Sequence, residues 1–459
     1  MKTLLIAGDR SGSGKTSITL ALAALLKKRF IVQTFKVGMD YIDPSYLTGV
    51  TGRPCRNLDG YVMTAEEVRE VYDHGCQGAE VALVEGVRGL YEGAEALSNK
   101  GSTAEVARLL DLNVVLVINA RSITRSAAAI VKGFMAFDPE VKICGVILNN
   151  VMGERHREKA VAAIEHYCGV PVIGAIPRLE EMHLAMRHLG LVPYREGQEG
   201  SEFRDRIQAI TDLIGEYVSI DRLLELAGDV TPAPSPAYLC PAAQKDLTIG
   251  VAYDEAFNFY YAELFEILAA EGAECIRFSP IHDTLPQADG YIFGGGYPEL
   301  FGAELEENTR MREAVWAAAQ AGTPIYGECG GLMYLTDAIV LKKGWQQNRQ
   351  EQTYRMCGVF AGRTVMPAAR VVTYVEGSSA DSPMGASRFR GHAFHYSDVD
   401  LTGETRYAYT LTRGVGITGN ADGALFYNTL GAYCHLHPVS SREMFAAFVR
   451  ACRSARTEA

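Results

Sequence analysis

Residues Gly8–Thr16 read GDRSGSGKT and stand between an apolar run, Thr3–Ala7, and a helical pattern, Thr16–Lys28. A glycine-rich turn in that position commits this part of the chain to a strand–loop–helix unit. Glycines let backbone N–H groups approach phosphate oxygens, and the helix N-terminus adds partial positive charge. Lys15 is placed to reach outer phosphates and the Thr16 hydroxyl to hold Mg²⁺. The strict pattern G-x4-G-K-[ST] fails by one position, because Asp9 stands where its first glycine belongs. The bland alternative is a structural glycine turn. GSGKT between a strand and a helix favours nucleotide binding.

Such a site needs carboxylates for its metal. Val81–Glu85 (VALVE) is an apolar strand ending in an acid and followed by Gly86. A carboxylate at the carboxyl end of a central strand faces the phosphate loop, so Glu85 is a metal-ligand candidate. The segment KVGMDYID adds Lys36, Asp40 and Asp43 after another strand. Asp43 would complete the Mg²⁺ shell, and Lys36 would neutralise a phosphorylated carboxylate. A strand-end surface glutamate and a merely charged loop are the competing readings.

At 459 residues the chain exceeds the ~250–300 residues at which one core stops growing, which implies two domains. Val114–Ile118, Ile143–Leu148 and Val172–Ile176 read as further buried strands alternating with helices, the pattern of a parallel α/β sheet. Pro232, Pro234, Pro236 and Pro241 mark a semi-rigid linker over 231–246. The expected domains are therefore 1–230 and 247–459. In the second, Leu247–Ala252, Gly290–Phe293 and Pro324–Tyr326 read as strands. A net charge of −11 argues against a nucleic-acid partner, although solubility alone explains it. No stretch resembles a signal peptide or a membrane span, so the expectation is a cytoplasmic protein with no membrane partner. Ten cysteines without a CxxC spacing are expected to be buried thiols, not disulfides or a zinc site.

The second domain carries PIYGECGGL, an apolar strand running into Cys329. That is the composition of a nucleophile elbow, where a sharp turn exposes the side chain at a helix start. An inert buried cysteine is the alternative. The flanking Gly327, Gly330 and Gly331 have no evident packing reason in the sequence. GAYCHLHP offers His435 and His437 as the base, and FGGGYP supplies a triple glycine for oxyanion donors. Cysteine, late histidine and glycine loop together fit acyl transfer from an amide, with glutamine hydrolysed through a thioester.

Taken together the two halves resemble the cobyrinic acid a,c-diamide synthases and their relatives acting on nickel-sirohydrochlorin. GDRSGSGKTS, KVGMDYIDP, TGRPCRNLDGY, VEGVRGLYEG, GSTAEVARLL, RHLGLVP, DEAFNFYY, FGGGYPELF, YGECGGLMYL, GHAFHYS and GAYCHLHP carry the resemblance in that order. It implies an N-terminal dethiobiotin synthetase-like phosphate-loop ATPase domain and a C-terminal triad-type class I glutamine amidotransferase domain. By the same resemblance ATP sits on Gly12, Ser13, Gly14, Lys15, Thr16 and Ser17, with Asn149 reading adenine. Mg²⁺ is held by Thr16, Asp43 and Glu85. The substrate and its acyl phosphate meet Lys36, Asp40, Tyr41 and Leu47. Cys329 is the nucleophile, His435 its base in preference to His437, and Gly295 and Gly296 form the oxyanion hole. Ammonia freed at Cys329 passes through the protein to an acyl phosphate made from ATP, and the reaction runs twice. Partners are the tetrapyrrole, ATP and L-glutamine, with no tightly bound organic cofactor and with a homodimer allowed.

Departures bear on the substrate. Met39 replaces a proline common in cobyrinate enzymes, Leu47 a histidine, Asn119 an aspartate and Ala393 a glutamate. GMDYIDPSY, INARSITRSAAA and AMRHLGL are more similar to methanogen enzymes. That places nickel-sirohydrochlorin first and cobyrinate beside it. The alternatives are another two-module amide ligase such as cobyric acid synthase, or a deviant phosphate-loop ATPase switch with a non-catalytic second domain.

Overall fold

The computed structural model describes residues 1–178, 201–345, 348–403 and 405–458. The RHLGLVP motif, residues 187–193, lies outside them, as does AMRHLGL. The chain divides into two compact units, Met1–Ser235 and Pro236–Ala459. Among the described residues no helix is long and apolar enough to cross a membrane, and all ten cysteines are free.

In the first unit the strands are β1 (Lys2–Gly8), β2 (Val32–Val37), β3 (Arg56–Leu58), β4 (Val81–Glu85), β5 (Val114–Asn119), β6 (Ile143–Val151) and β7 (Val172–Pro177). They form a parallel sheet in the order β3-β2-β4-β1-β5-β6-β7. A short antiparallel strand, Gly228–Asp229, adds to the start of β1. The strands read as continuous apolar runs because helices cover both faces. From β1 the chain builds outward through β2 and β3, returns to β4, then crosses to β5 on the other flank of β1. That reversal leaves a crevice at the carboxyl end of β1, where ligands of such sheets bind. The phosphate-loop motif lies there, ahead of α1 (Lys15–Lys27). Ile18, Leu22 and Leu26 of α1 are buried in the core, and so is Leu47 of α2 (Ile42–Thr51). β6 runs three residues beyond its apolar stretch, because Asn149 still pairs with Asn119 of β5.

The second unit is built on a ten-stranded sheet. Neighbour by neighbour it runs Ala273–Phe278, Leu247–Ala252, Gly290–Phe293, Ile325–Glu328, Thr429–Ala432, Ala421–Phe426, Arg406–Arg413, Val371–Ser379, Ser387–His395 and His435–Leu436. The first five are parallel and the rest antiparallel. Sequence analysis placed three of these strands. The antiparallel ones escaped it because one face is partly solvated: Val371–Ser379 (VVTYVEGSS) has no clean apolar run and is only intermittently buried. A smaller sheet joins Gln352–Arg355, Thr336–Leu341, Phe360–Met366 and Asp398–Leu401.

Candidate active sites

The first unit gathers its charged residues by register. Lys36 of β2 is level with Glu85 of β4, which is level with Ile6 of β1. Level residues on parallel neighbours point to the same face, so the ammonium and the carboxylate meet, 2.8 Å apart. Both are almost fully buried. Asp43, in the first turn of α2, hydrogen-bonds the same ammonium. Asp40 stands farther off, 3.9 Å from Lys36. It accepts from the Ile42 N–H at 2.8 Å and so caps α2. At the start of α1 the Thr16 hydroxyl lies 2.6 Å from Glu85 Oε1 and 3.3 Å from Asp43 Oδ2.

Positive φ at Gly12 (75°) and Gly14 (96°) lets the loop curl ahead of α1. Ser13 and Ser17 are buried, and the Ser13 hydroxyl has no hydrogen-bond partner. Asn149 donates to the Ser13 carbonyl at 2.8 Å, and its Oδ1 accepts from the Asn150 N–H. It therefore braces the phosphate loop from β6. Asp9, the residue that breaks the strict motif, pairs with Arg10 at 2.8 Å.

Burial and neighbouring charge decide the protonation states. Burial would lower the Lys36 ammonium, but Asp43, Glu85 and Asp40 overcome it and raise its pKa. Burial, and then Lys36, lower Lys15. Burial pushes Glu85 up, with Lys36 pulling the other way. The same burial acts on Asp43, where the Lys36 ion pair outweighs it and holds the carboxyl low. Asp40 is pushed up to about 7 by burial and by Asp43.

Thr16, Asp43 and Glu85 present hard oxygen donors, and Glu85 Oε2 is buried without a hydrogen-bond partner. Among the described residues no three His, Cys, Asp or Glu side chains cluster for a metal. One hydroxyl and two carboxylates fit Mg²⁺, which takes one or two carboxylates and leaves other positions to water and phosphate. Tyr41 sits just before α2, half-buried. Leu47 corrects the sequence reading. It is 1% exposed in the apolar core, so it packs against α1 and is not a substrate contact.

In the second unit three neighbouring parallel strands end side by side. Gly290–Phe293 leads into Gly294–Gly296, Ile325–Glu328 into Cys329, and Thr429–Ala432 toward His435. Cys329 has φ 49° and ψ −98° and opens the short helix Gly330–Leu335. A cysteine held in that left-handed conformation is strained, as at nucleophile elbows. The flanking glycines do have a packing reason. A Cβ on Gly331 would lie 2.0 Å from the Phe293 carbonyl, and one on Gly330 3.0 Å from the Gly296 nitrogen. The elbow is thus pressed onto the glycine loop, within reach of its backbone donors. A Cβ on Gly295 would meet the His435 ring at 2.7 Å.

His435 is buried and hydrogen-bonds the Cys329 side chain. Burial would depress its pKa, but Cys329 and Glu328 overcome burial and raise it to about 10. His435 Nδ1 lies 2.8 Å from Glu328 Oε1. His437, by contrast, packs its ring on Tyr261 at 4.6 Å, and its Nδ1 accepts from the Val439 N–H. The geometry thus sets His435, and not His437, beside the thiol.

Glu328, which lies beside His435, and Tyr326, which supports it, carry no motif of their own. Strand alternation carried the signal, since residues two apart share a face. What it lacked was the register that brings the strand before His435 alongside.

Comparison with known proteins agrees with both halves. Residues 4–192 match the CobQ/CobB/MinD/ParA nucleotide binding domain. Residues 248–443 match the CobB/CobQ-like glutamine amidotransferase domain. A protein of Methanosarcina acetivorans named cobyrinate a,c-diamide synthase is 50% identical, covering 98% of this chain and 95% of that one. Proteins of the same name from Methanothermobacter thermautotrophicus and Dehalococcoides mccartyi are 42% and 39% identical, each covering 97% of this chain.

Proposed function

Because the chain belongs to the cobyrinate a,c-diamide synthase family of glutamine-dependent amide ligases, we propose that it amidates the a and c acetate side chains of a tetrapyrrole with ATP and glutamine. The substrate in the relatives' printed name is cobyrinate. Nickel-sirohydrochlorin is a second macrocycle for the same site, favoured by the methanogen-like GMDYIDPSY and INARSITRSAAA segments. Residues 1–230 act as the synthetase and 247–459 as the glutaminase, joined by the stretch 231–246.

One observation carries this reading. A single chain holds a phosphate loop facing two carboxylates and a buried lysine, and also a Cys329–His435 pair on a strained elbow. In the first unit the loop N–H groups and Lys15 hold the phosphates of ATP. The substrate carboxylate attacks the γ-phosphorus and ADP leaves, giving an acyl phosphate. Thr16, Asp43 and Glu85 would hold Mg²⁺, which would supply charge neutralisation on those phosphates. Lys36 steadies the transferred group, and Asp40 and Tyr41 border the acceptor. Positioning and charge account for such catalysis. Asn149 holds the loop while the β6 end around it receives adenine. In the second unit Cys329 releases ammonia from glutamine, and ammonia displaces phosphate from the acyl phosphate to leave the amide.

The test is mass spectrometry of cobyrinate and of nickel-sirohydrochlorin, each incubated with purified protein, ATP, Mg²⁺ and glutamine. Two successive conversions of carboxylate to carboxamide are expected on cobyrinate. No conversion of either macrocycle would remove the reading. Faster turnover of nickel-sirohydrochlorin would reverse the order of the two substrates.

A further inference from the structure

We propose that Glu328, the residue immediately before the nucleophile, is the acid that positions His435, so that the relay runs Glu328–His435–Cys329. The inference rests on the glutaminase reading of the second unit. Glu328 is 6% exposed. Its Oε1 meets His435 Nδ1 at 2.8 Å. Its Oε2 accepts from the Tyr326 hydroxyl at 2.8 Å and from the Leu436 N–H at 3.2 Å. Both oxygens are thus engaged, and the carboxylate is clamped from its own strand and from the histidine's strand. A carboxylate only accepts, so Nδ1 carries the hydrogen and the other ring nitrogen is left for the thiol.

Position 437, two residues after His435, offers no acid. His437 instead packs on Tyr261. Register explains how position 328 takes over. Glu328 is level with Ala432 on the neighbouring parallel strand, three residues before His435. Tyr326 shares its face by strand alternation. His392 stacks on a face of the imidazole at 4.7 Å and 20°, which restricts rotation of the ring.

The proton path is closed. The Cys329 thiol gives its proton to His435 and its sulfur lone pair to the carboxamide carbon of glutamine. The C–N bond breaks as the imidazolium protonates the leaving nitrogen, which departs as ammonia. Water then gives a proton to His435 and its hydroxyl to the thioester carbon, breaking the C–S bond to yield glutamate and the thiol. Glu328 keeps its hydrogen bond to Nδ1 throughout and offsets the imidazolium charge, the role of the acid in other such triads.

The test is full-length Glu328→Gln, which keeps shape and an acceptor oxygen but removes the charge. Glutamine hydrolysis is expected to fall ~100-fold or more in kcat with little change in KM, as charge loss in a triad acid does. ATP-dependent amidation with added ammonium should persist. The groups facing His435 are Cys329, Glu328, His392 and His395. Among them Cys329 and then Glu328 raise its pKa, and the variant removes the second of these, so the alkaline limb of the glutaminase profile should move to lower pH. Hydrolysis within ~3-fold of wild type with an unmoved limb overturns the proposal. Should Glu328→Gln also lose ammonium-dependent amidation, Tyr326→Phe decides: a smaller loss of hydrolysis with a shifted limb supports the clamp, and an unmoved limb overturns it. Wild-type protein that hydrolyses no glutamine overturns instead the function on which the inference rests.

Discussion

The two sites occupy equivalent places in their units, the carboxyl ends of central parallel strands, yet they are built on opposite principles. The first is an ionic cluster. Lys36 is ion-paired with both Asp43 and Glu85, Lys15 stands beside them with a lowered pKa, and the Ser13 hydroxyl and Glu85 Oε2 are left without partners. Its loop, hydroxyls and carboxylates are of the chemistry that a polyanion and a hard cation would engage. The second is assembled beforehand: a strained cysteine, a histidine already bonded to it, and a carboxylate bonded at both oxygens. The difference follows from the chemistry. Phosphoryl transfer is carried by charges placed around the substrate's own phosphates. Amide hydrolysis needs a nucleophile and a proton shuttle at fixed distances before glutamine arrives.

The comparison breaks most visibly at the histidines. His435→Ala should lower glutamine hydrolysis ~1,000-fold or more, while His437→Ala should stay within ~10-fold. Equal losses in a steady-state glutaminase assay would mean that the second site is not assembled as described. In the first unit Lys15→Ala should lower amidation ~100-fold or more from either glutamine or ammonium, because a charge on the transferred phosphate is lost. Full activity from both sources would remove the phosphate loop from the reaction.

A sharper test of the ionic cluster is Lys36→Met. It leaves Glu85 and Asp43 with Lys15 as their remaining nearby cation, which should cost ~3 kcal/mol of stability. Added Mg²⁺ should recover part of that loss in thermal unfolding. An unchanged melting temperature would mean that the carboxylates are neutral or solvated. The smallest effect concerns Asp40, whose pKa is raised to about 7. A carboxyl raised in the folded state loses stability as pH climbs from its unfolded value through 7. Asp40→Asn keeps the cap on α2 and should therefore stabilise the metal-free protein by ~1 kcal/mol at pH 8 and not at pH 4. Equal effects at both pH values in chemical denaturation would contradict the assignment.

The same contrast explains what was legible in the sequence. Gly12–Ser17 and Cys329 were readable because their chemistry is local: glycines, a lysine and a hydroxyl in one turn, or a cysteine among glycines after a strand. Glu85 was readable because a strand end points one way. Leu47 was misjudged because the face of α2 that turns inward is decided by packing on α1, which its own decade of sequence does not encode. Gly330 and Gly331 looked free of packing duty because their neighbours, Gly296 and Phe293, are more than thirty residues away. Glu328 was overlooked for the same reason, since its partner His435 comes from a strand about a hundred residues later. The antiparallel strands of the large sheet went unread because half-solvated strands lack a continuous apolar run.

The most direct measurement of the central claim, two separable sites joined only by ammonia, compares wild type with Cys329→Ala. Each is given ATP, Mg²⁺, cobyrinate, heavy-nitrogen amide-labelled glutamine and unlabelled ammonium, and the product is weighed by mass spectrometry. Heavy nitrogen is expected in both new amides of the wild-type product. Only light nitrogen is expected in the product of Cys329→Ala, formed at a rate set by ammonium. Heavy nitrogen in the Cys329→Ala product, or no product from ammonium at all, would contradict the claim.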